Sequence, residues 1–257
     1  YSHVSKLRMV MQELFRQARR SRLIIYDPAE GLLLPESVKR SHRPITKAER
    51  RHILAVAQTH PAGLWVLTIL YTGLRPGETA ALFWEDIDFD RNEIHVYKAV
   101  ESGTRTIKAP KTPAGIRDIP MRQELRERLL AVRGEGAAPV FPSANGGIRS
   151  ANSLRRLWNS FAHALDLHMG AKVRDGQILQ HAIAPDLTPY CLRHTFCTDL
   201  QRAGVPINVA KELMGHANIS VTANIYTHRD QKVLHNNMAK LNPKGRRAVG
   251  KTQEKTV

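Results

Sequence analysis

Apolar residues recur at helical spacing from the start of the chain. Val4, Leu7, Val10, Met11, Leu14, Phe15 and Ala18 make one stripe, and Arg16, Arg19, Arg20 and Arg22 gather at its far end. This spacing predicts an amphipathic helix over residues 3–25, stopped by Asp27-Pro28. Residues 27–45 hold three prolines and several charges and read as an extended linker. A single helix ahead of a linker has nothing to pack on, which points to a neighbouring segment beyond residue 1.

The next stretch changes character. Thr46 is a good N-cap, and Glu49 three residues on completes a capping box. Helical patterns follow over 47–59, 61–72 and 77–83. From about 85 to 121 the period shortens to alternation, in Glu93–Val100, Thr104–Ala109 and Ile116–Pro120, with turns at Ser102-Gly103 and around Pro113 to Gly115. These segments predict a small antiparallel sheet. Helices resume over 122–133 and 151–167. Residues 168–186, with His168, Gly170, Gly176 and His181, read as irregular. The rest is helical to about 241, and 242–257 reads as a basic, disordered tail. No internal repeat is present. The expected fold class is mainly α with a small antiparallel β-sheet, an α+β domain.

Charge narrows the field of partners. The 257 residues carry 39 Lys+Arg against 23 Asp+Glu, a net charge of +16, with a pI near 10.3. Such a balance favours a polyanion, since each neutralised phosphate releases counterions. Cys191 and Cys197, six apart in one predicted helix, do not face each other, which argues against a local disulfide and suits a reducing cytoplasm. No apolar run approaches the length that spans a bilayer, and no charged-then-apolar leader opens the chain. The first residue is Tyr1, so a fragment of something longer is expected.

Candidate chemistry concentrates in three places. Thr72-Gly-Leu-Arg-Pro-Gly-Glu78 presents Arg75 in a turn between two predicted helices. Thr188-Pro-Tyr-Cys-Leu-Arg-His194 presents Tyr190 and Arg193. Leu213-Met-Gly-His216 is followed ten residues later by Tyr226, in Asn224-Ile-Tyr-Thr-His228. Two guanidiniums, an imidazole and a phenol suit phosphoryl transfer through a tyrosyl-phosphate bond. Guanidinium stays charged and offers paired donors matched to phosphate oxygens. Donors fixed where negative charge grows lower the barrier. A phenol, with an ordinary pKa of about 10, needs nearby positive charge or a base to act as a nucleophile.

These residues resemble the tyrosine recombinase (phage integrase) family, most of all integrases of conjugative transposons and prophages, over roughly residues 46–241. The resemblance implies a tyrosine recombinase catalytic-domain fold at 46–241. Residues 1–26 would then be the last helix of a core-binding domain and 27–45 the interdomain linker. It implies Tyr226 as nucleophile, Arg75 and Arg193 as clamps on the non-bridging oxygens, and His216 as a third phosphate ligand. Lys111, in Ala109-Pro-Lys-Thr-Pro-Ala-Gly-Ile-Arg117, resembles the lysine of the family's hairpin, which protonates the leaving 5′-oxygen. Lys108 is its competitor. Implied partners are double-stranded DNA attachment sites, a homotetramer on DNA, and an accessory DNA-bending or excision factor. No cofactor, metal or membrane is implied, and the expected place is the bacterial cytoplasm, at the nucleoid. A helix at 229–241, with Val233, Leu234, Met238 and Leu241 on one face, would dock on a neighbouring protomer.

One position departs from the family's pattern. Tyr190 stands where a histidine is usual, so its phenol would contact phosphate while the proton of Tyr226 passes to His216 or water. Cys191, His194 and Cys197 invite a zinc reading, but one helix offers no fourth ligand, and they read instead as core cysteines with a buttressing histidine. Three rivals remain: a chromosome-dimer-resolving recombinase, a type IB-like topoisomerase, and a catalytically weak DNA-binding accessory protein descended from an integrase.

Overall fold

The computed structural model describes residues 2–34, 42–101 and 105–226, with backbone alone at 2 and 224–226. The predicted helix at 229–241, the tail at 242–257 and the Ser102-Gly103 turn lie outside the described residues. The chain divides into two compact units, residues 1–41 and 42–257.

In the first unit, helix α1 (Ser2–Arg20) carries the predicted stripe. It ends sooner than the spacing predicts. Arg22 takes a left-handed φ of 59°, and the Leu23 N–H turns back to the Ala18 carbonyl at 2.9 Å, which closes the helix before Asp27. The stripe stays open: Leu7, Val10 and Leu14 are each about 60% exposed.

The second unit begins with the predicted capping box. The Glu49 N–H donates to Thr46 Oγ1 at 3.1 Å, and the Thr46 N–H donates to Glu49 Oε2 at 2.7 Å, opening α2 (Lys47–Val56). Arg43 donates two bonds to Glu49 and pairs with Asp186, so chain entry is tied to a segment more than 140 residues on. Helix α3 (Gly63–Thr72) is apolar on all sides and buried along nearly its whole length, the pattern of a central core helix. A short α4 (Pro76–Ala80) follows it.

Strands β1 (Ile87–Asp88), β2 (Glu93–Val96) and β5 (Arg117–Pro120) form an antiparallel sheet in that order across, β1-β2-β5. Ile94 pairs with both Ile87 and Ile119, giving one apolar face. Strands β3 (Ala99–Val100) and β4 (Ile107–Lys108) form a separate ribbon. The predicted strand 93–100 is therefore two strands. Tyr97 and Lys98 both turn to the buried Asp86, at 2.6 and 2.9 Å, whereas successive residues of a strand must face opposite ways. That shared partner breaks the ladder.

Helices α5 (Gln123–Ala131) and α6 (Ala151–His168) come next. The irregular segment expected at 168–186 is instead a hairpin, β6 (Lys172–Arg174) with β7 (Gln177–Gln180). Its turn is Asp175-Gly176, both at positive φ (51° and 77°), the conformation that Asp-Gly favours between paired strands. Helices α7 (Pro189–Arg202), α8 (Ile207–Met214) and α9 (Ile219–Tyr226) complete the described chain, and α7 packs on α3. The fold class is as expected: mainly helical, with small antiparallel sheets. No helix among the described residues is long and apolar enough to cross a membrane.

Candidate active site

Two helix ends build the site. Helix α3 stops at Gly73, in the left-handed region at φ 66°, and Arg75 then precedes α4 with Pro76 in its first turn. Helix α8 stops at Gly215, at φ 62°. There the Gly215 N–H reaches the Glu212 carbonyl, and the His216 N–H reaches that of Lys211 at 3.1 Å. This paired closure fixes where the His216 backbone leaves the helix.

The carbonyls at the end of α8 each accept from a different arginine. Arg117 Nε donates to Leu213 O at 2.9 Å, Arg193 Nη2 to Met214 O at 2.5 Å, and Arg75 Nη2 to Gly215 O at 2.9 Å. The last carbonyls of a helix lack intrahelical partners and carry the negative end of its dipole, so cations stabilise them. Arg193 also donates to the carbonyl of Gly73, joining the two helix ends through one side chain.

Glu78 sits among these cations. Arg75 reaches its Oε1 at 2.7 Å, and Arg117 reaches both oxygens, at 3.2 and 2.9 Å. Burial works to raise the Glu78 carboxyl, but the Arg117 hydrogen bonds and the charges of Arg117, Arg75 and Arg193 outweigh it and hold it at about 2. Burial, then the Arg193, Arg75 and Arg117 charges, push the His216 imidazole down to about 4, so the ring is neutral near pH 7. Arg193 is lowered to about 9, first by burial and then by Arg75, and remains a cation at neutral pH. One carboxylate among three guanidiniums leaves an excess of positive charge, an environment that favours an anion.

A cleft of about 710 Å³ opens beside this cluster, with Arg75, Lys111, Tyr190, Gly215, Arg155 and Trp158 in its walls. The Arg75 side chain is 37% exposed, whereas Arg193 is only 5% exposed. Lys111 is exposed on the turn after β4, while Lys108 pairs with Glu101 at 2.8 Å. Tyr190, in the first turn of α7, stacks its ring on that of His42, with centroids 5.1 Å apart and planes 15° apart. Position 226 is the last residue of α9, and its side chain lies outside the described residues.

Arg75, Arg193 and His216, as residues, meet around the end of α8, and Arg75, Lys111 and Tyr190 share the cleft wall. Sequence reasoning passed over three further residues. Glu78 and Arg117 lie inside the quoted motifs but drew no role. Alternation along β5 was the available signal for Arg117, since it faces inward with Ile119. The third is Thr222, whose Oγ1 lies 2.9 Å from His216 Nδ1. Cys191 and Cys197 are free and buried, and the described residues hold no group of three or more His, Cys, Asp or Glu placed for a metal.

A basic, mainly helical domain with an arginine-walled cleft defines a class of protein suited to phosphate. The chain belongs to the phage integrase family, which it matches over residues 43–232. It is 29% identical over 218 residues to a tyrosine recombinase XerC-like protein of Caldanaerobacter subterraneus subsp. tengcongensis, covering 80% of this chain and 56% of that one. It is 30% identical over 166 residues to the transposase from transposon Tn916 of Enterococcus faecalis, covering 63% and 41%. The chain thus spans about half the length of these curated relatives. The Tn1549 transposon integrase (aa 82-397), solved in complex with circular intermediate DNA, superposes with a TM-score of 0.72. That match is 25% identical and covers 94% of this chain and 80% of that one.

Proposed function

We propose that the chain carries the catalytic part of a site-specific DNA recombinase that integrates and excises a mobile element. The observation that carries this reading is the meeting of Arg75, Arg193 and His216 at the end of α8, beside a cleft that Lys111 also walls. Tyr226 Oη attacks a backbone phosphorus, forming a 3′-phosphotyrosyl bond as the bond to the 5′-oxygen breaks. Lys111 gives its proton to that oxygen, and the phenolic proton of Tyr226 leaves to water or to His216. Arg75, Arg193 and His216 hold the non-bridging oxygens as charge grows on them. Tyr190 contributes a phenolic hydrogen bond to the phosphate. A free 5′-hydroxyl from a second duplex reverses the step, and pairs of exchanges pass through a Holliday junction.

The acceptor and donor are double-stranded DNA attachment sites. The working assembly is a homotetramer on DNA, assisted by an accessory DNA-bending or excision factor, in the bacterial cytoplasm at the nucleoid. Residues 229–241 join neighbouring protomers, and residues 1–26 belong to a core-binding domain. The XerC-like relative favours a second reading, resolution of chromosome dimers, which shares every chemical step.

The test uses a nicked duplex made from the DNA that flanks the gene, with EDTA present and with wild type and Tyr226→Phe side by side. A denaturant-resistant protein–DNA adduct with wild type alone is expected. Binding without adduct would sink the catalytic reading in favour of an accessory DNA-binding protein. An adduct with Tyr226→Phe would remove Tyr226 as nucleophile. Adduct on a chromosome-terminus duplex but not on the flanking DNA would select dimer resolution.

A further inference from the structure

A neutral imidazole has one N–H, and the partner of one ring nitrogen decides which nitrogen carries it. The His216 ring, largely buried, has Nδ1 2.9 Å from the Oγ1 of the fully buried Thr222. A hydroxyl can donate or accept, so the direction of this bond needs a second observation. Four other helical threonines supply it. Thr68, Thr72, Thr195 and Thr198 donate their hydroxyl protons to the carbonyls of Leu64, Thr68, Cys191 and His194, one turn back in their own helices. Thr222 sits within α9 yet turns its hydroxyl to His216. Among the described residues its hydroxyl bonds to no helix carbonyl, and a buried donor needs an acceptor. The acceptor it faces is Nδ1.

We propose that Thr222 is a positioning residue for His216: its hydroxyl donates to Nδ1 and holds the ring as the Nε2–H tautomer. The same bond fastens α9 to the arginine cluster. Position 226 follows 222 by one helical turn and shares its face, so the contact that sets the imidazole also sets the helix that carries the tyrosine. This inference deepens the recombinase reading and rests on it for what Nε2–H and Tyr226 do. An Nε2–H is the form able to donate to an anion while Nδ1 stays engaged, and a ring held this way leaves water to take the phenolic proton of Tyr226.

The test begins without DNA. Long-range ¹H–¹⁵N correlation of the histidine-labelled full chain at neutral pH reads the His216 tautomer directly, with His216→Gln identifying its signals. Wild type and Thr222→Ser are expected to show a bare Nδ1 and a protonated Nε2, while Thr222→Val loses that preference. On the nicked flanking duplex, Thr222→Val is expected to slow adduct formation roughly 10- to 100-fold, with Thr222→Ser restoring most of the rate. An Nδ1–H ring in the wild type would overturn the proposal. So would a Thr222→Val protein with unchanged tautomer and adduct rate. If Thr222→Val does not fold, wild type and Thr222→Ser still decide the tautomer. Failure of the recombinase reading would appear separately, as a wild type that binds DNA without adduct, and would leave the tautomer result standing.

Discussion

Arg75 and Gly215, 140 residues apart in the chain, are joined by a 2.9 Å hydrogen bond from guanidinium to carbonyl, one residue before His216. The bond links the turn after α3 to the turn after α8. It holds the half-buried arginine of the cleft against the backbone that delivers the histidine. Gly215 also lets this turn pack closely on β5 and the segment before it, because a Cβ there would lie 2.8 Å from Arg117 Nη1 and 3.1 Å from the Ala114 carbonyl.

Gly215→Ala therefore strains the chain twice, through a left-handed φ and through contact with Arg117. A loss of about 1–3 kcal/mol in unfolding free energy is expected from urea titration. Adduct formation should fall with it, since Arg75 and Arg117 both bond to this turn. An unchanged urea midpoint would contradict the strain argument.

Glu78→Gln removes the carboxylate that partners the Arg117 guanidinium. Arg117 is 5% exposed, and a buried charge left without its partner costs about 3–5 kcal/mol. A drop of that size in denaturant unfolding is expected. A change below about 1 kcal/mol would mean that the Leu213 and Gly115 carbonyls alone suffice for Arg117.

The two arginines should separate stability from chemistry. Arg193→Lys gives up paired bonds to the Gly73 and Met214 carbonyls, each about 1–3 kcal/mol when a buried acceptor is stranded. It should lower both stability and adduct rate. Arg75→Lys changes a side chain that is 37% exposed, so its stability should shift little while the adduct rate falls on the order of 10² to 10³. Equal destabilisation by the two variants would refute the division.

Acid should destabilise the fold in two stages. His216 is lowered to about 4 from an ordinary 6.5, so between those values the unfolded chain binds a proton that the folded chain does not. Stability then rises with pH across that window and is lost as pH falls from about 6.5 towards 4. Glu78, held at about 2 against an ordinary 4.5, contributes stability above 4.5 that is lost as pH falls towards 2. Urea midpoints should be flat between about pH 7 and 8 and decline below that range. His216→Gln should flatten the upper stage only, and a full decline in that variant would assign it to another group.

Local signals were legible in the chain itself. The Thr46–Glu49 box, the all-apolar α3 and the inward Ile94 and Ile119 follow from nearest neighbours and from periods of 3.6 and 2, which need no knowledge of distant residues. The Asp175-Gly176 turn was legible too, with Val173 and Ile178 beside it, but it was overshadowed by the polar composition of 168–186. The chemical types at 75, 111, 190, 193, 216 and 226 were readable as a set. Their meeting was not. Which α8 carbonyl each guanidinium takes, and that Arg117 joins Arg75 on Glu78, depend on partners 21 to 140 residues apart, and that Thr222 turns to His216 depends on how α9 folds back on the end of α8. Sequence determined the elements and the inventory of groups, because propensity and periodicity are local. Tertiary packing decided which groups lose water together, and burial is what turns those neighbours into obligatory hydrogen-bond partners.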